Sequence, residues 1–144
     1  MTVTHTTFTL ERTYAAAPPR VFAAWSDPDT KGRWFATGHT HRLDFRPGGQ
    51  EVTRGRAPDG KEMAFTSVYH DIVPDERIVY SSTLTGDDEL ATVSTTTVEF
   101  SADGEGTRLI LTEQSTFLED RELPDWREQG TSDWLAKLGK ELAS

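Results

Sequence analysis

The sequence predicts an α+β fold in which a curved antiparallel sheet of seven strands wraps one long C-terminal helix. Three observations predict it. Short β-rich runs alternate with Gly, Pro and Asp turn clusters through the middle of the chain. Two proline-led segments separate the first such run from the others, and the stretch after Pro124 carries apolar residues at helical spacing.

Each element has its own signal. Phe8, Leu10, Arg12 and Tyr14 alternate with Thr9, Glu11 and Thr13 as in a strand, whereas the small and polar Met1 to Thr7 read as a loose tail. Ala15 to Pro19 ends this strand, and Pro18 or Pro19 occupies the first turn of a short helix with Val21, Phe22 and Trp25 on one side. Asp27-Pro28-Asp29 supplies the cap and first turn of a second short helix, which ends at Lys31 to Phe35 and is anchored by Trp34 and Phe35. Turn clusters at 46–49, 57–60, 73–76, 86–89 and 102–106 then divide six runs at about 39–45, 49–56, 62–72, 77–84, 91–101 and 107–116. Their short links favour an antiparallel meander over parallel crossovers. After Pro124, Trp134, Leu135, Leu138 and Leu142 share a helical stripe.

A chain of 144 residues is the size of one domain and buries roughly two-thirds of its unfolded surface without help from metals or disulfides. The lack of cysteine removes thiol nucleophiles, thiolate metal sites and redox switching, and suits a reducing cytoplasm. No basic-then-apolar leader and no apolar run of about 18 residues occurs, so neither export nor membrane insertion is expected. Fifteen basic against twenty-four acidic residues leave a net charge of -9, which argues against nucleic acid and membrane partners.

A long amphipathic helix must bury its stripe, and the sheet before it is the only large apolar surface available. A curved sheet closed by a helix leaves an expected cavity whose walls follow from strand alternation. Phe65, Tyr80, Phe100, Leu111 and Glu113 are assigned to that inner surface, and the indoles Trp25, Trp34, Trp126 and Trp134 suit gripping a flat guest, the alternative being ordinary helix-to-sheet packing, which is favoured for Trp25 and Trp34. His70 joins them as a candidate, although alternation leaves its facing open. Hydroxyl groups share rows with apolar ones, which suits an amphipathic ligand; the alternative is an interior filled by aromatics and hydrogen-bonded hydroxyls. Gly130, inside the predicted helix, marks a close approach to the sheet or ligand, or a kink.

Several segments, in this order and spacing, resemble the START-like (SRPBCC, Bet v 1-like) helix-grip superfamily, and within it homologues of the activator of the Hsp90 ATPase. They are Ala17 to Trp25, Asp27-Pro28, Trp34-Phe35, Asp71 to Tyr80, Val98 to Phe100, Gly106 to Glu113 and Arg127 to Leu138. The resemblance implies a seven-stranded sheet gripping the last helix, with two small helices between the first and second strands. It also implies binding of lipids, polyketides or other hydrophobic molecules, with a minority of cyclases and hydrolases. Eukaryotic activators carry a separate N-terminal domain ahead of this one, so an Hsp90-like chaperone is not the expected partner. Relatives often place His where this chain has Glu113-Gln114.

No nucleophile elbow, zinc-protease motif or phosphate-binding glycine loop occurs, and no cofactor is expected. His39 and His41 share a strand face but lack a third ligand, so exposed edge positions are expected for them and no metal site. The leading expectation is a cytoplasmic binder of a small hydrophobic or aromatic molecule, as a monomer or homodimer. The alternatives are a cyclase- or hydrolase-like enzyme using Glu113, His70 or Tyr80 as acid or base, and an interaction module that regulates a chaperone ATPase.

Overall fold

A computed structural model describes all residues, Met1–Ser144. In chain order the elements are β1 (Val3–Tyr14), α1 (Pro18–Ser26), α2 (Pro28–Phe35), β2 (Thr40–Leu43), β3 (Gln50–Arg56), β4 (Glu62–Val73), β5 (Arg77–Gly86), β6 (Glu89–Asp103), β7 (Gly106–Leu118) and α3 (Pro124–Ala143). The strands form one antiparallel sheet in the order β1-β7-β6-β5-β4-β3-β2, a meander whose first strand returns to lie beside the last. This is the helix-grip arrangement. No helix is long and apolar enough to cross a membrane.

Local chemistry accounts for the boundaries. Pro18 opens α1, while the Asp27 carboxylate caps α2 by accepting from the Thr30 backbone N–H at 2.9 Å and its hydroxyl at 2.7 Å. The β5–β6 hairpin turns on Asp87 and Asp88, both left-handed at φ 48° and 65°, the geometry that matches strand twist in a two-residue hairpin. The expected N-terminal tail is instead strand: β1 begins at Val3 and pairs without a break from Val3↔Leu118 to Tyr14↔Thr107. β-Branched threonines suit a pleated surface even where no apolar alternation announces it.

Two register shifts alter facing. One falls between Tyr69 and Asp71, leaving His70 as the extra residue; the other, between Leu84 and Thr85 in the β5–β6 pair, leaves Ala91 as the extra residue of β6. The core lies between the concave sheet and the three helices. Val21, Trp25, Ile78, Val98, Leu109, Leu111, Leu135 and Leu138 are all buried. Trp25 and Trp34 pack edge to face at 4.9 Å, and the Trp34 indole donates to the Ala24 carbonyl at 2.9 Å.

Candidate functional site

The concave face carries more polar groups than a packed core requires. Strand registers place Glu113, Thr96, Tyr80 and Tyr69 side by side across β7, β6, β5 and β4, and the next row reads Ser115, Ser94, Ser82, Ser67 and Glu51. All of these are buried. The third row, Thr53, Phe65, Leu84, Thr92 and Phe117, lies toward the opposite end of the sheet from Trp25 and Phe100. Such groups are tolerable only when bonded, and most are. Ser67 and Ser82 are 2.7 Å apart, and Thr96 donates to Glu113 at 2.8 Å.

Two charged clusters tie helices to this surface. Lys31 of α2, wholly buried, donates to both oxygens of Glu51 at 3.0 Å; Tyr69 and His41 reach the same carboxylate at 2.7 Å each. Rings of Phe35, Trp25 and Trp34 stand 4.2, 5.1 and 5.6 Å from the Lys31 nitrogen. Burial alone would raise the Glu51 carboxyl, but the Lys31 charge and the bonds from His41 and Tyr69 prevail and hold it at about 2. Tyr69 is pushed far above the usual phenol range by burial and by the Glu51 charge.

Arg127 of α3 forms the second cluster. Its guanidinium donates to Glu122 through Nε at 3.1 Å and Nη2 at 2.8 Å, and through Nη1 to Glu113 at 3.2 Å and Ser94 at 3.3 Å. Thr92 adds a bond of 2.6 Å to Glu122. Burial works against the charge of Arg127, and the two carboxylates more than offset it, raising its pKa further.

Beside this second cluster, between α3 and β3–β5, lies a pocket of about 200 Å³. Thr53, Phe65 and Leu84 contribute its sheet side, Phe35, Trp126 and Trp134 its aromatic lips, and Arg127, Glu122 and Thr131 its polar end. Gly130 belongs to the lining as well: a Cβ there would meet nothing within 4 Å, so the glycine marks open space and not a close approach to the sheet. Phe35 and Trp134 touch at 4.4 Å between ring centroids, and Trp126 is 62% exposed at the rim. The Thr53 hydroxyl is buried and has no hydrogen-bond partner in the protein. A larger depression, about 430 Å³ over β1, β6 and β7, has Val93 as its single apolar lining residue and offers little for an apolar guest to grip.

Of the hollow expected between the C-terminal helix and the concave sheet, this pocket is open, while the two clusters and the core aromatics occupy the neighbouring part of that face. Among the candidates from sequence, Phe65, Trp126 and Trp134 line the pocket. Glu113 sits behind Arg127, and Trp25, Trp34, Phe100, Leu111 and Tyr80 are packed in the core away from the pocket. His70 is a correction: the bulge turns it outward, where it is exposed and bonds Ser81 at 2.7 Å, so it forms no acid/base pair with Glu113. His41 is another, since its side chain is only 8% exposed and engages Glu51.

The profile of the family described as Activator of Hsp90 ATPase homolog 1-like protein matches residues 15–143. The chain belongs to this family. Among solved structures it is similar to a protein from Rhizobium leguminosarum, with 38% identity over 99% of this chain and 97% of that chain and a TM-score of 0.94. A protein from Rhizobium loti shows 41% identity over 98% and 99% of the two chains, with a TM-score of 0.91. A third, from Chromobacterium violaceum, shows 27% identity over 96% and 97%, with a TM-score of 0.80. No curated protein matches the chain. The fold of this family is compatible with ligand binding between helix and sheet, where the pocket lies.

Sequence reasoning missed Arg127, Lys31 and Glu51 as site components. For Arg127 a signal existed: stepping back by four from Leu135 on the buried stripe gives Thr131 and then Arg127.

Proposed function

We propose that this member of the Hsp90-activator homologue family binds a small, single-ring-sized aromatic or hydrophobic molecule in the pocket between α3 and β3–β5. The observation that carries the reading is an aromatic-lipped opening next to a glycine whose missing side chain leaves the space free. Its volume lies below the roughly 300–1,000 Å³ of drug-sized sites, which selects a compact guest over a long lipid. Exposed Trp126 at the rim supplies a large apolar face with a donor, suited to closing over a ring.

The test pairs the native protein with Gly130→Leu. Leucine is a better helix former than glycine and has room to enter, so this variant folds while filling the pocket. Protein purified from its own host releases a small molecule detectable by mass spectrometry, and adding that molecule back quenches tryptophan fluorescence. Gly130→Leu abolishes both signals at an unchanged or higher melting temperature. Retention of the same molecule by a folded Gly130→Leu variant would place binding elsewhere and overturn the reading.

A further inference from the structure

Arginine at the end of an aromatic pocket invites the assumption of an acidic ligand, but the charge count points the other way. Arg127 is already shared by two carboxylates, with Glu113 at 3.2 Å and Glu122 at 2.8 Å. Glu122 and Arg127 are the only charged residues in the lining and balance each other, and Glu113 behind Arg127 brings the three-residue cluster to a net charge of −1. Four of the five guanidinium N–H groups are spent on Glu122, Glu113 and Ser94. A carboxylate guest would therefore gain at most one bond from Arg127 while facing the Glu122 carboxylate, with the Glu113 charge behind the guanidinium adding to the repulsion.

The acceptors, in contrast, are not exhausted. Glu122 accepts three bonds, from Thr92 and twice from Arg127, whereas a carboxylate offers about four acceptor positions. Its side chain is 15% exposed, on the lining of the pocket. Thr53, on the same lining, has a buried hydroxyl oxygen without a partner. Around these acceptors stand the rings of Phe35, Phe65 and Trp134, whose electron-rich faces attract cations. Phe65 already demonstrates the preference by carrying the Arg127 guanidinium 5.4 Å from its centroid.

Building on the reading that this pocket binds a compact ring, we propose that it selects an organic cation: an aryl-alkyl ammonium whose ring lies among the aromatic lips and whose N–H groups donate to Glu122. Selection arises from the unbalanced carboxylate, not from a dedicated ion pair.

Calorimetry with three probes of matched shape tests this: 2-phenylethylammonium, 2-phenylethanol and phenylacetate, each at low and at raised salt. The ammonium binds at least tenfold more tightly than phenylacetate, with the alcohol between them, and salt weakens the ammonium alone. In Glu122→Gln the ammonium-to-acid ratio falls at least fivefold, and an unchanged circular dichroism spectrum reports that the variant is folded. If the alcohol binds but the acid equals or exceeds the ammonium, charge selection is overturned and the pocket reading survives. If none of the three binds and Gly130→Leu still retains its host-derived molecule, the pocket reading falls and takes the inference with it.

Discussion

Replacing Lys31 by Met keeps the apolar stem and removes the ammonium that faces Glu51. Both partners are buried, at 0% and 1% exposure, and Nζ lies 3.0 Å from each carboxylate oxygen. Removing one partner of such a pair strands the other charge and costs about 3–5 kcal/mol. The acid titration supplies a second scale. The carboxyl is held at about 2 in the fold against an ordinary 4.5, roughly 3 kcal/mol that the Lys31 charge shares with the bonds from His41 and Tyr69, while burial lowers the pKa of Lys31 itself. Because the folded value is the lower one, that stability is present in full above pH 4.5 and is lost as pH falls toward 2. At about 3 °C per kcal/mol for a chain of this length, Lys31→Met lowers Tm by roughly 9–15 °C at neutral pH. Burial then dominates Glu51 and raises its pKa, so the deficit narrows on acidification. Thermal melts followed by circular dichroism from pH 3 to 8 check both statements. A deficit below about 1 kcal/mol, or one that does not change with pH, would refute the assignment of Lys31 as the charge that holds Glu51 ionised.

Three further outcomes follow from the same geometry. The Tyr80 hydroxyl is buried without a partner, a condition that costs about 1–3 kcal/mol, so Tyr80→Phe melts at the same temperature as the native protein or a few degrees higher; a clear drop would mean that the hydroxyl is bonded. His70→Ala changes stability by no more than about 0.5 kcal/mol and leaves ligand affinity and its pH profile untouched, since the imidazole lies on the outer face; a shifted binding profile would restore it as a site residue. Gly130→Ala stabilises by about 1 kcal/mol in denaturant titration, because helix propensity improves and the new methyl meets no neighbour; destabilisation would contradict the open space there.

The sequence made the order of elements legible because turn chemistry punctuates it. Asp87-Asp88, Gly60 and Gly104 adopt the positive φ that their residue types favour, and the prolines open all three helices. It was less legible where identity and periodicity part company. The threonines before Phe8 carry β propensity without an apolar rhythm, so their strand was missed. Facing failed at His70 because one extra residue in β4 breaks the two-residue period, and nothing local in Tyr69-His70-Asp71 announces the bulge. The site was obscured for another reason. Lys31 and Arg127 read as ordinary surface charges until their helical neighbours Phe35 and Leu135 are known to be buried, and their partners Glu51 and Glu113 are long-range neighbours set by packing.

The two ionic clusters and the pocket are one construction. Phe35 lies one helical turn beyond Lys31 in α2, and Trp134 lies two turns beyond Arg127 in α3; these two rings meet at 4.4 Å to form a lip of the pocket. Lys31–Glu51 fixes α2 against β3, Arg127–Glu113 fixes α3 against β7, and the lip is thereby set by anchors on both sides. A buried ion pair is poor evidence for added stability but can specify one packing among several, and this role separates the two quantities experimentally. In Lys31→Met combined with Glu51→Gln the stranded charge is gone and the amide still accepts from Tyr69, so most of the melting temperature lost in the single variant returns. Affinity for 2-phenylethylammonium does not return with it, because α2 is no longer held in register and Phe35 is free to move. Full recovery of binding alongside stability would show that apolar packing alone sets the lip and that the buried charges play no part in shaping it.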